Sequence, residues 1–99
     1  MVDEGRCPRP IEKGIIMALF MDVHSLGDKV TMADVAAAHA ADLAHQDPHD
    51  VHYLRYWVNE AEGKIFCLVE APSADDANTV HREAHGLVAD EIFAVAEGD

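Results

Sequence analysis

Two histidines one helical turn apart, His81 and His85, stand just before Gly86 and have the spacing best suited to chemistry in this chain. Side chains at positions i and i+4 of a helix share one face, so both imidazoles could reach a single metal ion. In zinc proteases the glutamate directly follows the first histidine, whereas Glu83 lies two positions on and points to the opposite side. The spacing therefore predicts a metal site and disfavours a protease.

The composition predicts a single acidic domain. The 99 residues are 49% hydrophobic, which is enough for one modest core, and 19 acidic against 7 basic residues give a formal charge of −12. Such a charge repels nucleic acids and anionic lipid surfaces and attracts cations. We expect a divalent metal ion as partner, and neither nucleic acid nor membrane, although acidity also serves solubility.

The chain is predicted to consist of a flexible N-terminal leader (residues 1–16), a folded domain (17–96) and a C-terminal tail (97–99). The leader has no apolar run of signal-sequence type, and no segment approaches transmembrane length. The two cysteines, Cys7 and Cys67, show neither Cys-x-x-Cys spacing nor the density of a secreted disulfide scaffold. A reducing cytoplasm is the expected location.

Four short strands and two helices are predicted within the domain. The helices begin after the capping residues Thr31 and Ser73. The first helix fades before Pro48, and the second runs to His85, where Gly86 supplies a left-handed stop. The predicted strands cover residues 18–24, 51–58, 64–70 and 91–95.

The order βαββαβ predicts an α+β fold of the ferredoxin-like type. In it, a four-stranded antiparallel sheet with strand order fourth, first, third, second carries both helices on one face. The other face needs a cover, which predicts a homodimer. We expect the aromatic residues Tyr53, Tyr56 and Trp57 of the second strand to serve packing on the sheet and in the dimer contact.

This topology gathers potential ligands at one pole. The end of the first strand carries His24, the end of the second helix carries His81 and His85, and the fourth strand begins at Glu91, after Asp90. Three imidazoles and a carboxylate suit nickel, zinc, cobalt or copper. Asp22 and Cys67, on neighbouring strands, are candidates to complete the site.

Structural roles compete with ligation at each of these positions. His81 lies on the apolar side of its helix and could be a buried, hydrogen-bonded core histidine. His85 could interact with the helix dipole, and His24 could merely end a strand. Cys67 could be a small core residue, and Asp22 a polar group on the dimer-facing side.

The first helix carries a further histidine, His39. It shares an apolar stripe with Met32, Val35 and Leu43, so we expect a satisfied core histidine rather than a ligand. Alanines along this helix would allow a close approach to the sheet.

A second group of histidines and aspartates surrounds the turn after the first helix, at the opposite pole. It could form a loose surface metal site, but ordinary turn chemistry around Pro48 is the favoured interpretation. The group consists of His45, Asp47, His49, Asp50 and His52.

Three segments resemble a family of small bacterial ferredoxin-like proteins, and specifically its nickel-binding, nickel-responsive branch. They are Phe-Cys-Leu-Val-Glu-Ala-Pro at 66–72, the helix end from His81 to Ile92, and Met-Asp-Val-His at 21–24, within a similarity covering roughly 18–95. The resemblance implies a dimer that holds nickel, with His81 and Cys67 on the family's motif positions and His24 and His85 on those of the branch. Val88 stands where the wider family often has proline.

The leading hypothesis is therefore a non-catalytic protein that sequesters or buffers nickel, and nickel rather than zinc follows from the resemblance alone. The alternative is a small dimeric enzyme with a pocket on the open sheet face. There Asp22, His24, Tyr53 or Cys67 would perform acid-base chemistry on a small organic substrate. A plain dimerisation module is the third possibility.

Overall fold

A computed structural model describes residues 9–10 and 16–98 of the chain, so the predicted leader lies largely outside the described residues. No helix in this described part is long and apolar enough to cross a membrane. The elements in chain order are β1 (Arg9–Pro10), β2 (Ile16–Ser25), α1 (Met32–His45), a one-turn 3-10 helix (Asp47–His49), β3 (His52–Asn59), β4 (Lys64–Ala71), α2 (Ala74–Ala84) and β5 (Glu91–Ala94).

The sheet is antiparallel, and β2 lies at its centre. One edge of β2 pairs with β4 from Ala18↔Ala71 to Ser25↔Lys64, and β3 pairs with the far edge of β4. The other edge of β2 pairs with β5, and nearer its start with the two-residue strand β1. The order β5-β2-β4-β3 is the predicted one, and the ferredoxin-like α+β fold is confirmed.

The helices start and stop where the capping residues predict. The Thr31 hydroxyl accepts a hydrogen bond from the Asp34 amide at 3.1 Å, and Ser73 caps α2 in the same way. After α2, Gly86 adopts a φ of 83° and its amide donates to the His81 carbonyl. These caps fix where the α2 histidines lie along the helix.

The core fills the space between the sheet and the two helices. Alternate residues of β4, among them Cys67 and Val69, pack against Val35 of α1 and against Ala77 and Val80 of α2. The helical stripe predicted for α1 is wrong in part, since Met32 and Leu43 are exposed. The buried positions of this helix are Val35 and Asp42.

A β-bulge in β3 changes which aromatic residues face the helices. The register shifts between Tyr53 and Arg55, so Leu54 is an extra residue and strict alternation is broken. Tyr53 and Tyr56 consequently both pack on the core side, and Trp57 lines a groove on the open face. Of the three aromatic residues predicted to serve packing and the dimer contact, only Trp57 lies on the face where a partner could bind.

The β3–β4 hairpin turn supports the loop between β2 and α1, and Gly63 is its critical residue. Gly63 has a φ of 66°, its carbonyl accepts from the Leu26 amide at 2.9 Å, and a Cβ there would overlap the Asp28 carbonyl. We expect Gly63→Ala to lower the free energy of unfolding by at least about 2 kcal/mol more than Gly27→Ala does.

Gly27 is the matched control, because its φ of 73° is equally left-handed but a Cβ added there would meet no atom within 4 Å beyond its chain neighbours. Its substitution should cost about 1 kcal/mol from backbone strain alone. Urea denaturation of both variants measures the difference. Equal losses would show that the close approach of the two loops contributes nothing to stability.

Candidate metal centre

Four buried side chains from three elements bring potential ligands together beneath the helices. On β2, Asp22 and His24 point to the helix side, and Asp22 pairs in register with Cys67 of β4. His81 extends from α2 onto the same spot. One ligand atom from each of the four lies within 4.8 Å of the others, and all four side chains are buried.

The distances within this cluster are those of ligands around one ion. His81 Nε2 lies 3.0 Å from Asp22 Oδ2 and 3.3 Å from His24 Nε2, and His24 Nε2 lies 3.3 Å from Asp22 Oδ1. With metal–ligand bonds of about 2.1 Å, neighbouring ligands are about 3.0 to 3.4 Å apart. Nitrogen and oxygen donors at these separations suit a borderline divalent ion, and the Cys67 sulfur lies within 4.8 Å of each of them.

One buried oxygen of the cluster lacks a hydrogen bond. The Tyr53 hydroxyl donates to Asp22 Oδ2 at 3.0 Å, while Asp22 Oδ1 has no hydrogen-bond partner despite complete burial. An unsatisfied buried carboxylate oxygen is costly, and a metal ion would satisfy it. The residues present therefore fit a metal ion.

A second group shares His81 through the opposite ring nitrogen. His81 Nδ1 lies 3.0 Å from Asp42 Oδ1 on α1, and His85 Nε2 lies 3.1 Å from the same oxygen. The latter contact lacks hydrogen-bond geometry, so His85 Nε2 is a buried nitrogen without a hydrogen bond. Asp42, His81 and His85 form a second set of possible ligands.

Sequence reasoning missed Asp42. The signal was its position seven residues after Val35, which places both on one side of α1. The predicted apolar stripe through Met32 and Leu43 left Asp42 outside the expected buried face of α1. Asp42 is in fact 2% exposed, and an aspartate buried to this extent is rare without a partner.

The histidine shared by the two groups is held in its charged form. Burial opposes the charge, but hydrogen bonds to Asp22 and Asp42 outweigh it and raise the pKa of His81 to about 9. Burial likewise raises the pKa of Asp22, yet the neighbouring His24 and His81 imidazoles outweigh burial and bring that pKa well below its usual range. With these pKa values, the cluster consists of an imidazolium among carboxylates.

Cys67, Tyr53 and His85 stay neutral near pH 7. Burial raises the pKa of Cys67 and of Tyr53 far above their usual ranges, with the Asp22 carboxylate adding to both shifts. Burial lowers the pKa of His85 despite the opposing charge of Asp42. A neutral His85 keeps a lone pair available for a metal.

The structure brings most of the predicted ligands together. His24, His81, Asp22 and Cys67 share the first cluster, and His85 is in the second. Glu91 is exposed on β5 opposite Val23, and it belongs to neither cluster within the described residues. Its neighbour Asp90 instead accepts a hydrogen bond from the Ser25 amide at 2.6 Å, which fixes the end of β2.

Two placements from sequence are corrected. Asp22 is not on the dimer-facing side, because it contacts His81 and Tyr53 beneath the helices. The enzyme hypothesis placed Asp22, His24, Tyr53 and Cys67 in a pocket on the open sheet face. All four instead lie on the helix side, since strand alternation and the β3 bulge direct them there.

Two histidines of the second group, His45 and His49, contact polar groups of the protein. His45 Nδ1 lies 2.8 Å from the Ala41 carbonyl, and His49 Nε2 lies 2.9 Å from Glu83 Oε1. Neither histidine belongs to a possible metal group in the described part of the chain. The first contact lies within α1 and the second joins the turn to α2.

The fold and the buried donor cluster together define a small ferredoxin-like domain with a possible transition-metal centre. The chain belongs to the family described as nickel responsive protein SCO4226-like, whose model matches residues 20–95, and the resemblance seen in the sequence is confirmed. It is similar to SCO4226 from Streptomyces coelicolor A3(2), known from a crystal structure, with 41% identity and a TM-score of 0.77 over 83% of this chain and 100% of that one. No curated protein matches the chain.

Proposed function

We propose that this protein binds nickel and thereby sequesters or buffers it, with Asp22, His24, Cys67 and His81 as ligands. The observation that carries the proposal is that four buried side chains each place a donor atom within 4.8 Å of the others. One of these side chains, Asp22, has an oxygen without a hydrogen bond. The choice of nickel is supported by the family's description as nickel responsive. The donors themselves would also suit zinc, cobalt or copper.

Charge supports the same proposal. Asp22 and Asp42 place two buried carboxylates around one imidazolium, and a divalent ion would supply the positive charge when His81 loses its proton. The formal charge of −12 attracts cations to the surface and supports a protein without nucleic-acid or membrane partners. The free Cys67 thiol accords with a reducing cytoplasm.

Equilibrium dialysis of metal-stripped protein, purified without an affinity tag, tests the function. We expect nickel to be retained against metal-free buffer by the wild type and by His45→Gln/His49→Gln, and to be lost from Asp22→Asn/His24→Gln. Retention by the Asp22/His24 variant would refute the ligand assignment. Absence of binding by the wild type for nickel, zinc, cobalt and copper would refute the function.

We further propose a homodimer formed through the open sheet face. Leu54, Trp57 and Phe93 there are large apolar side chains, and Trp57 and Leu54 line one groove with Met21. Sedimentation equilibrium should show a dimer that Trp57→Glu weakens at least about tenfold. Leu43→Glu on α1, where the exposure is 44% against 47% for Trp57, is the matched control. A monomeric wild type would contradict this proposal.

A further inference from the structure

His81 presents its two ring nitrogens to two separate sets of donors. Nε2 lies 3.0 Å from Asp22 Oδ2 and 3.3 Å from His24 Nε2, whereas Nδ1 lies 3.0 Å from Asp42 Oδ1. An imidazolium that loses both of its N–H protons becomes an imidazolate, which has one lone pair on each nitrogen. It can therefore bind one ion on each side of the ring.

The second set has its own unsatisfied atom. His85 Nε2 is buried without a hydrogen bond, 3.1 Å from Asp42 Oδ1, and the rings of His81 and His85 are 5.0 Å apart. An ion among these groups would have two nitrogen ligands and a carboxylate. Three protein ligands with an open position are the pattern of zinc sites that also hold water.

The space for such a water exists. A cavity of about 30 Å³, enough for a water molecule, lies between α1, the end of α2 and the sheet, and it is lined by residues of both donor sets together with His39 and Tyr56. Leu87, directly after the α2 stop, lines the same pocket. The second set therefore lies on the more open side of the cluster, as the greater exposure of His85 than of Asp22 also shows.

We propose that the cluster is a two-ion centre in which His81 is a bridging imidazolate. The first ion is bound by Asp22, His24 and Cys67, and the second by Asp42 and His85. This inference rests on the proposed function, whose site supplies the first ion.

The charges of this arrangement balance. The Asp22 and Asp42 carboxylates, the Cys67 thiolate and the His81 imidazolate carry four negative charges, which two divalent ions neutralise. On binding, the thiol proton and both ring protons of imidazolium His81 pass to solvent, and the ions lose hydration water. No electron is transferred.

A single-ion alternative assigns Asp42 a different role. Carboxylates commonly accept the second N–H of a metal-bound histidine and so orient the ring. In that arrangement Asp42 would fix His81 for the first ion, and His85 would bind nothing. His85 therefore distinguishes the two arrangements, and its side chain, 15% exposed, tolerates replacement better than the fully buried groups.

Titration of the metal-stripped full chain with nickel and with copper(II) tests the inference, in a His45→Gln/His49→Gln background that removes two surface imidazoles. Imidazolate-bridged copper(II) ions are antiferromagnetically coupled. We expect two ions per chain and a paramagnetic resonance signal that grows with the first equivalent of copper and declines with the second. His85→Gln should bind one ion and keep the uncoupled signal.

The outcomes separate the two proposals. One ion per chain, lost on His24→Gln but unaffected by His85→Gln, would leave the proposed function standing and overturn the bridge. Two ions with independent signals would also overturn it. If the protein with all six proposed ligands intact bound neither nickel nor copper(II), both the proposed function and this inference would be refuted.

Discussion

Replacement of His81 by glutamine should lower the nickel affinity by at least about a hundredfold. Loss of a group that only orients a metal ligand already costs about 10- to 100-fold, and His81 is a proposed ligand between two carboxylates. Glutamine keeps polar atoms in the cavity but cannot supply an imidazole nitrogen. Competition with a chromophoric chelator measures the affinity of wild type and variant.

His49→Gln is the matched control for this experiment. His49 also contacts a carboxylate, at 2.9 Å from Glu83 Oε1, but it lies in neither metal group of the described residues. The nickel affinity of His49→Gln should remain that of the wild type. Circular dichroism establishes that both variants fold, and a folded His81→Gln protein with affinity within tenfold of the wild type would refute the role of this histidine.

Nickel affinity should rise steeply with pH up to about 9. Protons stop competing with a metal for an ordinary imidazole above a pH of about 6.5, but hydrogen bonds to Asp22 and Asp42 outweigh burial and raise the pKa of His81 to about 9. Below that pH the metal must displace a proton, so affinity falls as pH falls. The slope is about tenfold per pH unit for each proton displaced.

Cys67 sets the size of this slope. Because burial raises its pKa well above the usual range, a thiolate ligand would release a second proton throughout the same interval. Chelator competition at several pH values should therefore show a slope in the wild type that is larger by one proton than in Cys67→Ser. An affinity that stays constant between pH 7 and 9 would contradict the protonated cluster.

The sequence predicted the fold well because its signals are local. Thr31, Ser73 and Gly86 define helix ends through backbone geometry that a few neighbouring residues determine. The strand order then follows from the sequence of elements. The bulge at Leu54 was not predictable in this way, since nothing in the local pattern of β3 reveals an extra residue.

The site was only partly predictable for a physical reason. The sequence left two roles open for His81, a buried hydrogen-bonded histidine and a ligand, and its ring is buried and contacts two carboxylates. Glu91 was predicted as a ligand because the last strand begins there, close to the pole that carries the histidines. The direction of its side chain, however, depends on how β5 pairs with β2. Asp42 was missed because its partner lies 39 positions away.

The open face and the metal cluster are interleaved along β2 at every second residue. Met21 lines the groove on one side of the sheet, while Asp22 and His24 lie beneath the helices on the other. A deletion of one residue from this strand would exchange the two sets, placing carboxylate and imidazole on the apolar face and methionine among the charged groups. The number of residues in β2 is thus constrained by both faces of the sheet at once, whereas each side chain is constrained by only one face.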